Sequence, residues 1–211
     1  MFLDRAETAR QVSEKETEHL KTELAFLRSQ ISPHFMFNVL NGMVALARKK
    51  SDLLEPSLIK LSSIMRYMLY ENDDEKVPLE KELEYLQSYI DLQKQRFGKS
   101  ITVTTSIQPV DKNYCIEPML LIPFVENAFK HGTGLAQDAY ISICLAAANN
   151  VLDFSVTNRF AEESADIKDK TSGIGLNNVY RRLNLLYKNS HKLDIKKNDG
   201  SFTVSLNLNL V

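Results

Sequence analysis

Apolar positions change their spacing twice along the chain. Leu20, Leu24, Leu27 and Ile31 recur at steps of four, three and four within a polar segment free of Gly and Pro, the spacing of a coiled-coil seam. So narrow a seam needs another helix to cover it, and a second copy of the chain is the simplest supplier. After Pro33 the set Phe35, Phe37, Val39, Leu40, Met43, Val44 and Leu46 covers most of the helix circumference, which predicts bundle core. "SDLLEPSLIK" interrupts with Pro56 near a first helical turn, after which Leu58, Leu61, Met65 and Met68 repeat at three, four and three. A charged turn, "ENDDEKVP", leads to a third helix with Leu79, Leu83, Leu86 and Ile90 inward and Gly98 placed as its C-terminal cap. The pattern predicts a helical hairpin and a third helix, with a domain boundary near Gly98: residues 1–97 on one side, 98–211 on the other.

Beyond Gly98 the period shortens to two. "ITVTTSI", "YISICLAA" and "VLDFSVTN" read as strands, and "KLDIKK" and "SFTVSLNLNL" form a pair around the turn signal Asn198 to Gly200. Helical stretches lie between them, near Pro118 to Lys130 and Leu176 to Tyr187. Strands interleaved with helices, with at least one hairpin, predict a mixed sheet covered by helices, and the whole chain reads as α+β.

Composition narrows the partners. The 211 residues carry 26 Lys plus Arg against 27 Asp plus Glu, a net charge of -1, so no electrostatic surplus points to nucleic acid or an anionic membrane. Cys115 and Cys144 stand apart inside apolar runs, without the close pairing of zinc sites or disulfide frameworks, and are expected to be reduced core thiols. The longest apolar runs, such as "MLLIPFV", fall short of the roughly 20 residues that span a bilayer.

Three constellations carry chemistry. In "RSQISPHFMFNVLN", His34, Asn38 and Asn41 share a helical face, and Pro33 removes an amide donor just before the imidazole, so a bend is expected there. A neutral imidazole offers a ring-nitrogen lone pair near pH 7 and can accept a phosphoryl group; a kinked helix with a hydrogen-bonded histidine is the plainer alternative. In "PMLLIPFVENAFKHG", Asn127, Lys130 and His131 form one polar face. An amide oxygen beside a cation suits a metal-bound polyphosphate, although such groups also simply decorate helix C-termini. In "TSGIGLNNVYRRL", Gly173 and Gly175 permit close backbone approach, the helix from Leu176 aims its amides at the loop, and Asn178 and Arg182 lie one turn apart, with Arg181 the neighbouring alternative.

In this order the three motifs resemble the sensor histidine kinases of the LytS/YehU type. "SPHFMFNVLN" is similar to their phospho-acceptor segment, which implies phosphorylation of His34. "PFVENAFKHG" resembles the N box of their GHKL (Bergerat) ATPase domain, which implies Mg²⁺ ligation by Asn127 and contact of Lys130 and His131 with ATP. "GIGLNNVYRRL" resembles the G2 box, with Gly173, Gly175, Leu176, Asn178 and Arg182 about the nucleotide. The resemblance implies a dimerising hairpin, a four-helix bundle in the homodimer, followed by an ATP-binding α/β sandwich. It further implies transfer from His34 to an aspartate of a response regulator, with the LytTR type as candidate class, and a cytoplasmic location in a bacterial inner-membrane protein whose sensor precedes Met1. One departure stands out: where many such domains carry Asp-x-Gly, "FSVTNRF" has Asn158, which accepts a hydrogen bond but adds no charge. No acidic residue follows His34, so Glu126, beside Asn127, is the candidate base. A degenerate kinase acting as a dimeric regulatory module is the alternative.

Overall fold

The first described helix, α1 (Pro33–Arg48), opens on proline, whose missing N–H is no loss in a first turn. The computed structural model describes residues 33–70, 76–133, 138–159, 174–198 and 200–210. The leucine seam, the bend expected before His34 and the segment 160–173 lie outside them. The chain divides into two compact units, Met1–Pro33 and His34–Val211, and every described residue but Pro33 belongs to the second.

Helix α1 buries one stripe, Phe35, Val39 and Met43, and leaves Phe37, Leu40 and Val44 exposed. Helix α2 (Leu54–Tyr70) carries Pro56 in its first turn, as expected. Its buried stripe is Ser57, Leu61, Ile64 and Tyr67, while Leu58 and Met65 of the three-four-three repeat are exposed. The reason is that α2 has two apolar stripes, and periodicity alone does not say which one meets this chain's own core. Helix α3 (Leu79–Phe97) lies against α2 through the Lys60–Asp91 ion pair and the Ser57 hydroxyl, which donates to Gln95 at 2.7 Å. Leu79, Leu86 and Ile90 are buried as expected, Leu83 is half-buried, and Glu82 shows no exposed surface. Gly98 ends the helix at φ +56°, its amide donating to the Lys94 carbonyl, a conformation that favours glycine.

The five-stranded sheet has the order β2 (Thr102–Ile107), β4 (Tyr140–Ala148), β5 (Val151–Arg159), β7 (Ser201–Asn209), β6 (His191–Asn198). Only the β2–β4 pair is parallel, so the sheet is mixed. Asn149 and Asn150, both at positive φ, turn β4 into β5, the geometry whose twist matches a two-residue hairpin. Ile141, Ile143, Leu145, Leu152, Phe154, Val156, Val204, Leu206 and Leu208 point to one face and are buried. On that face lies α4 (Ile122–Gly132), and α5 (Ile174–Leu186) packs against α4. The other face is polar, and Cys144 lies exposed on it, because strand alternation turns it away from the core expected for it. A two-residue pairing of β1 (Val77–Pro78) with β3 (Cys115–Ile116), absent from the sequence reading, ties the start of α3 to the approach to α4. Among the described residues no helix is long and apolar enough to cross a membrane.

Candidate functional site

Helix α4 is the centre of the site. Pro123 sits in its first turn, and Ile122, Phe124, Val125, Ala128 and Phe129 anchor it by burial, each large side chain contributing about 1.5–3 kcal/mol relative to exposure. Its remaining face carries Glu126, Asn127, Lys130 and His131: the lysine is exposed and the other three are half-buried. The spacing 126, 127, 130, 131 keeps all four together on one side of the rod. Glu126 has an Oε1 enclosed without a hydrogen-bond partner among the described residues, and burial lifts its carboxyl from about 4.5 to about 7.

The C-terminal end of α4 meets β5 at close quarters. A β-carbon at Gly132 would stand 2.8 Å from the Asn158 Cβ and 3.2 Å from its Nδ2, so only glycine lets the helix approach this strand. Asn158 is 1% exposed, and its Nδ2 donates to the Arg159 carbonyl at 3.0 Å. The segments "ENAFKHG" and "VTN" are thus in contact, through residues 26 positions apart in the chain.

Helix α5 packs against α4 and starts at Ile174, two residues before its expected start, so Gly175 belongs to its first turn. Gly173 lies outside the described residues. Val179 and Leu183 are buried, and Leu176 and Asn178 are half-buried. Arg182 is 3% exposed: its Nη1 and Nη2 donate to the Met119 and Pro118 carbonyls at 2.9 and 2.7 Å. The guanidinium braces the entry to α4, and Glu117 Oε1 stands 4.0 Å away.

That entry explains why α4 begins at Ile122 and not at Pro118. Residues 117–121 form a loop held by side chains from two helices and from the end of α5. Glu82 Oε2 accepts from the Met119 amide at 2.9 Å and from the Tyr67 hydroxyl, and its Oε1 accepts from the Leu121 amide at 3.1 Å. The Tyr187 hydroxyl accepts from the Glu117 amide at 2.9 Å. Burial pushes the Glu82 carboxyl up, while the Tyr67, Leu121 and Met119 donors and nearby Arg182 pull it down. Burial likewise raises Tyr67, Tyr85 and Tyr89 above the ordinary phenol value and Tyr187 to about 12, so all four remain neutral at physiological pH. The sequence reading missed Glu82, and the signal was present: 79, 82, 86 and 89 continue the three-four-three register of the apolar face.

A chain of ring contacts, one tilted and one edge-to-face, joins α1 to this centre. Phe35, next to His34, lies 4.4 Å from the Tyr89 ring, and Tyr89 lies 6.0 Å from Phe129 of α4, centroid to centroid. Among the described residues no three of His, Cys, Asp and Glu converge as a cation cage. A shallow groove of about 360 Å³ lies elsewhere, on the polar sheet face around Ser106, Cys144, Ser155 and Ser205, and contains none of the expected site residues.

Residues 22–101 match a family model described as Histidine kinase. Over 193 residues the chain is 32% identical to the sensor histidine kinase YpdA of Escherichia coli K12, covering 88% of this chain and 33% of that protein. The chain is similar to sensor histidine kinases over most of its length. It is also 29% identical over 207 residues to the sensor protein LytS of Oceanobacillus iheyensis, covering 90% of this chain and 35% of LytS. Among solved structures, the histidine kinase domain from Erythrobacter litoralis EL346 is similar at a TM-score of 0.48 and 15% identity, over 93% of this chain and 94% of that one. The chain spans about a third of the length of the curated proteins it matches. The family match runs through α1, α2 and α3 and stops where the sheet begins.

Proposed function

We propose that this chain is the kinase core of a two-component sensor: it binds ATP with Mg²⁺ and phosphorylates His34. The observation that carries the reading is that α4 meets both β5 and α5, so that three segments far apart in the chain converge on one helix. In this reading residues 98–211 bind the nucleotide and residues 1–97 dimerise and carry the acceptor. Lys130 and His131 meet phosphate charge, and Gly173, Gly175, Leu176 and Asn178 border the nucleotide at the N-terminus of α5. Arg182, held by the 118–119 carbonyls, supports that border from beneath.

The donor set suits the ion such a reaction uses. Mg²⁺ bound by an amide oxygen of Asn127 would draw its other ligands from phosphate oxygens and water, and would offset triphosphate charge. In the transfer, a ring nitrogen of His34 bonds to the terminal phosphorus, the bond to the bridging oxygen breaks, and ADP leaves. The imidazole proton then needs an acceptor. Glu126, held near 7 by burial, can take it at neutral pH. The phosphoryl group passes next to an aspartate of a response regulator, for which the LytTR type is the candidate class.

The exposed apolar side chains Phe37, Leu40 and Val44 on α1 and Leu58, Ile59, Met65 and Leu69 on α2 support a homodimer, since a second copy of the hairpin completes a four-helix bundle. We assign the chain to the cytoplasmic side of a bacterial inner-membrane protein with its sensor N-terminal to this portion. Incubation with γ-labelled ATP and Mg²⁺ tests the assignment: an acid-labile label is expected on the native chain and none on His34→Gln or Asn127→Asp. Label that survives in His34→Gln would move the acceptor elsewhere.

A second reading, a catalytically weak dimeric regulatory module, draws on Asn158. Its amide group turns to the Arg159 carbonyl and carries no charge where a carboxylate would, which weakens any grip on adenine. Nucleotide binding without labelling would favour it.

A further inference from the structure

Met119 has a backbone that the phosphoryl-transfer reading does not use. It is 1% exposed and stands at φ +56°, a left-handed conformation unfavourable for a residue with a β-carbon and kept only where the surroundings over-determine it. They do so with buried charge. Its amide donates to Glu82 and its carbonyl accepts from Arg182, each at 2.9 Å, and neither charged residue is more than 3% exposed. Neighbouring groups follow the same pattern, the Leu121 amide on Glu82 and the Pro118 carbonyl on Arg182. Burying a carboxylate and a guanidinium is expensive unless every bond is made, and a glycine at 119 would need no such hold. The loop is therefore held in tension between α3 and α5, directly before Leu121, the residue that opens α4.

The hold reaches one helix further. Glu82 Oε2, which takes the Met119 amide, also takes the hydroxyl of Tyr67, a buried residue of α2. We propose that Glu82 is a positioning residue coupling the helical hairpin to the nucleotide helix: Tyr67 and Met119 share one carboxylate oxygen, so displacing α2 alters the grip on the loop that aims α4. With Tyr67 in place, the oxygen has two donors and the carboxylate is fixed. When α2 carries the hydroxyl away, a desolvated oxygen is left with one donor, the carboxylate turns or draws in water, and Met119 relaxes from its left-handed state. Glu126 and Asn127, one turn into α4, move with it. What the coupling serves rests on the kinase reading above; the coupling itself does not.

Tyr67→Phe in the full chain removes only the hydroxyl and is the decisive variant. Amide hydrogen exchange at Met119, Leu121 and the first turn of α4 is expected to quicken by roughly tenfold or more, the size of losing a hydrogen bond to a charged group, with β4, β5 and β7 unchanged. The His34 labelling rate is expected to fall severalfold while affinity for a non-hydrolysable ATP analogue stays within about twofold, the split that marks positioning and not binding. Glu82→Gln, which keeps the shape but sets an amide donor against amide donors, should show the same pattern more strongly, and Glu82→Asp should restore part of it. Exchange that quickens only within α2, or uniformly across the sheet, would overturn the coupling and leave a merely structural hydrogen bond. If the native chain takes no label from ATP, the kinase reading falls, and the exchange pattern in Tyr67→Phe still decides the coupling.

Discussion

Glu126 links protonation to folding and, as the proposed base, to phosphoryl transfer, with opposite signs. Its folded-state value of about 7 lies above the ordinary 4.5, so the folded protein holds this proton more tightly than the unfolded chain. The resulting stability is complete below about pH 4.5 and is lost as pH rises through 7. Thermal unfolding should accordingly show a Tm that falls between pH 5 and 8, with Glu126→Gln falling less and exceeding the native chain at pH 8. As the proposed base for labelling of His34, Glu126 acts in its ionised form, so the same variant is expected to be slower by roughly 10²-fold or more at pH 8. A variant that loses stability and activity together would deny Glu126 its role as base. At Gly132 the constraint is space: an alanine β-carbon at 2.8 Å from Asn158 Cβ meets a strand residue that cannot swing aside. Gly132→Ala should lower the Tm by roughly 3–10 °C through overpacking and weaken nucleotide binding, both read in one calorimetric titration series.

The helices of the hairpin each carry more apolar surface than their own chain covers. Phe37 is 66% exposed, Ile59 60% and Leu69 68%, a continuous cost in water unless another copy meets them. Val44→Glu combined with Leu58→Glu should convert a dimer to a monomer in sedimentation, and reduce labelling if phosphorylation crosses between subunits; an unchanged sedimentation coefficient would remove the bundle from the account. The same two-stripe character explains why periodicity alone does not assign the inner face of α2. Leu58 and Met65 fit a seam as well as Leu61 and Ile64 do, and the choice is made by what stands opposite: Tyr67 is drawn inward because Glu82 waits there to accept its hydroxyl.

At the scale of the molecule, α3 belongs physically to both halves. It pairs with α2 through Asp91 and Gln95 and holds the approach to α4 through Glu82. A chain beginning at Gly98 should therefore lose the carboxylate that satisfies the Met119 and Leu121 amides and unfold well below one beginning at Lys76, which circular dichroism melts would separate. The sequence by itself determined the order of the elements, the mixed sheet and the three motifs, because these depend on period, turn chemistry and local residue type: Gly98 ends α3, the Asn198–Gly200 turn joins β6 to β7, and Asn127, Lys130 and His131 share a face whatever surrounds them. Only the tertiary structure decided which α2 stripe is inner, that Arg182 is a buried brace, that Gly132 is needed by Asn158, and that Glu82 is core. Those outcomes depend on partners 15 to 64 residues away, and no local pattern carries the identity of a side chain met only after the chain has folded back on itself.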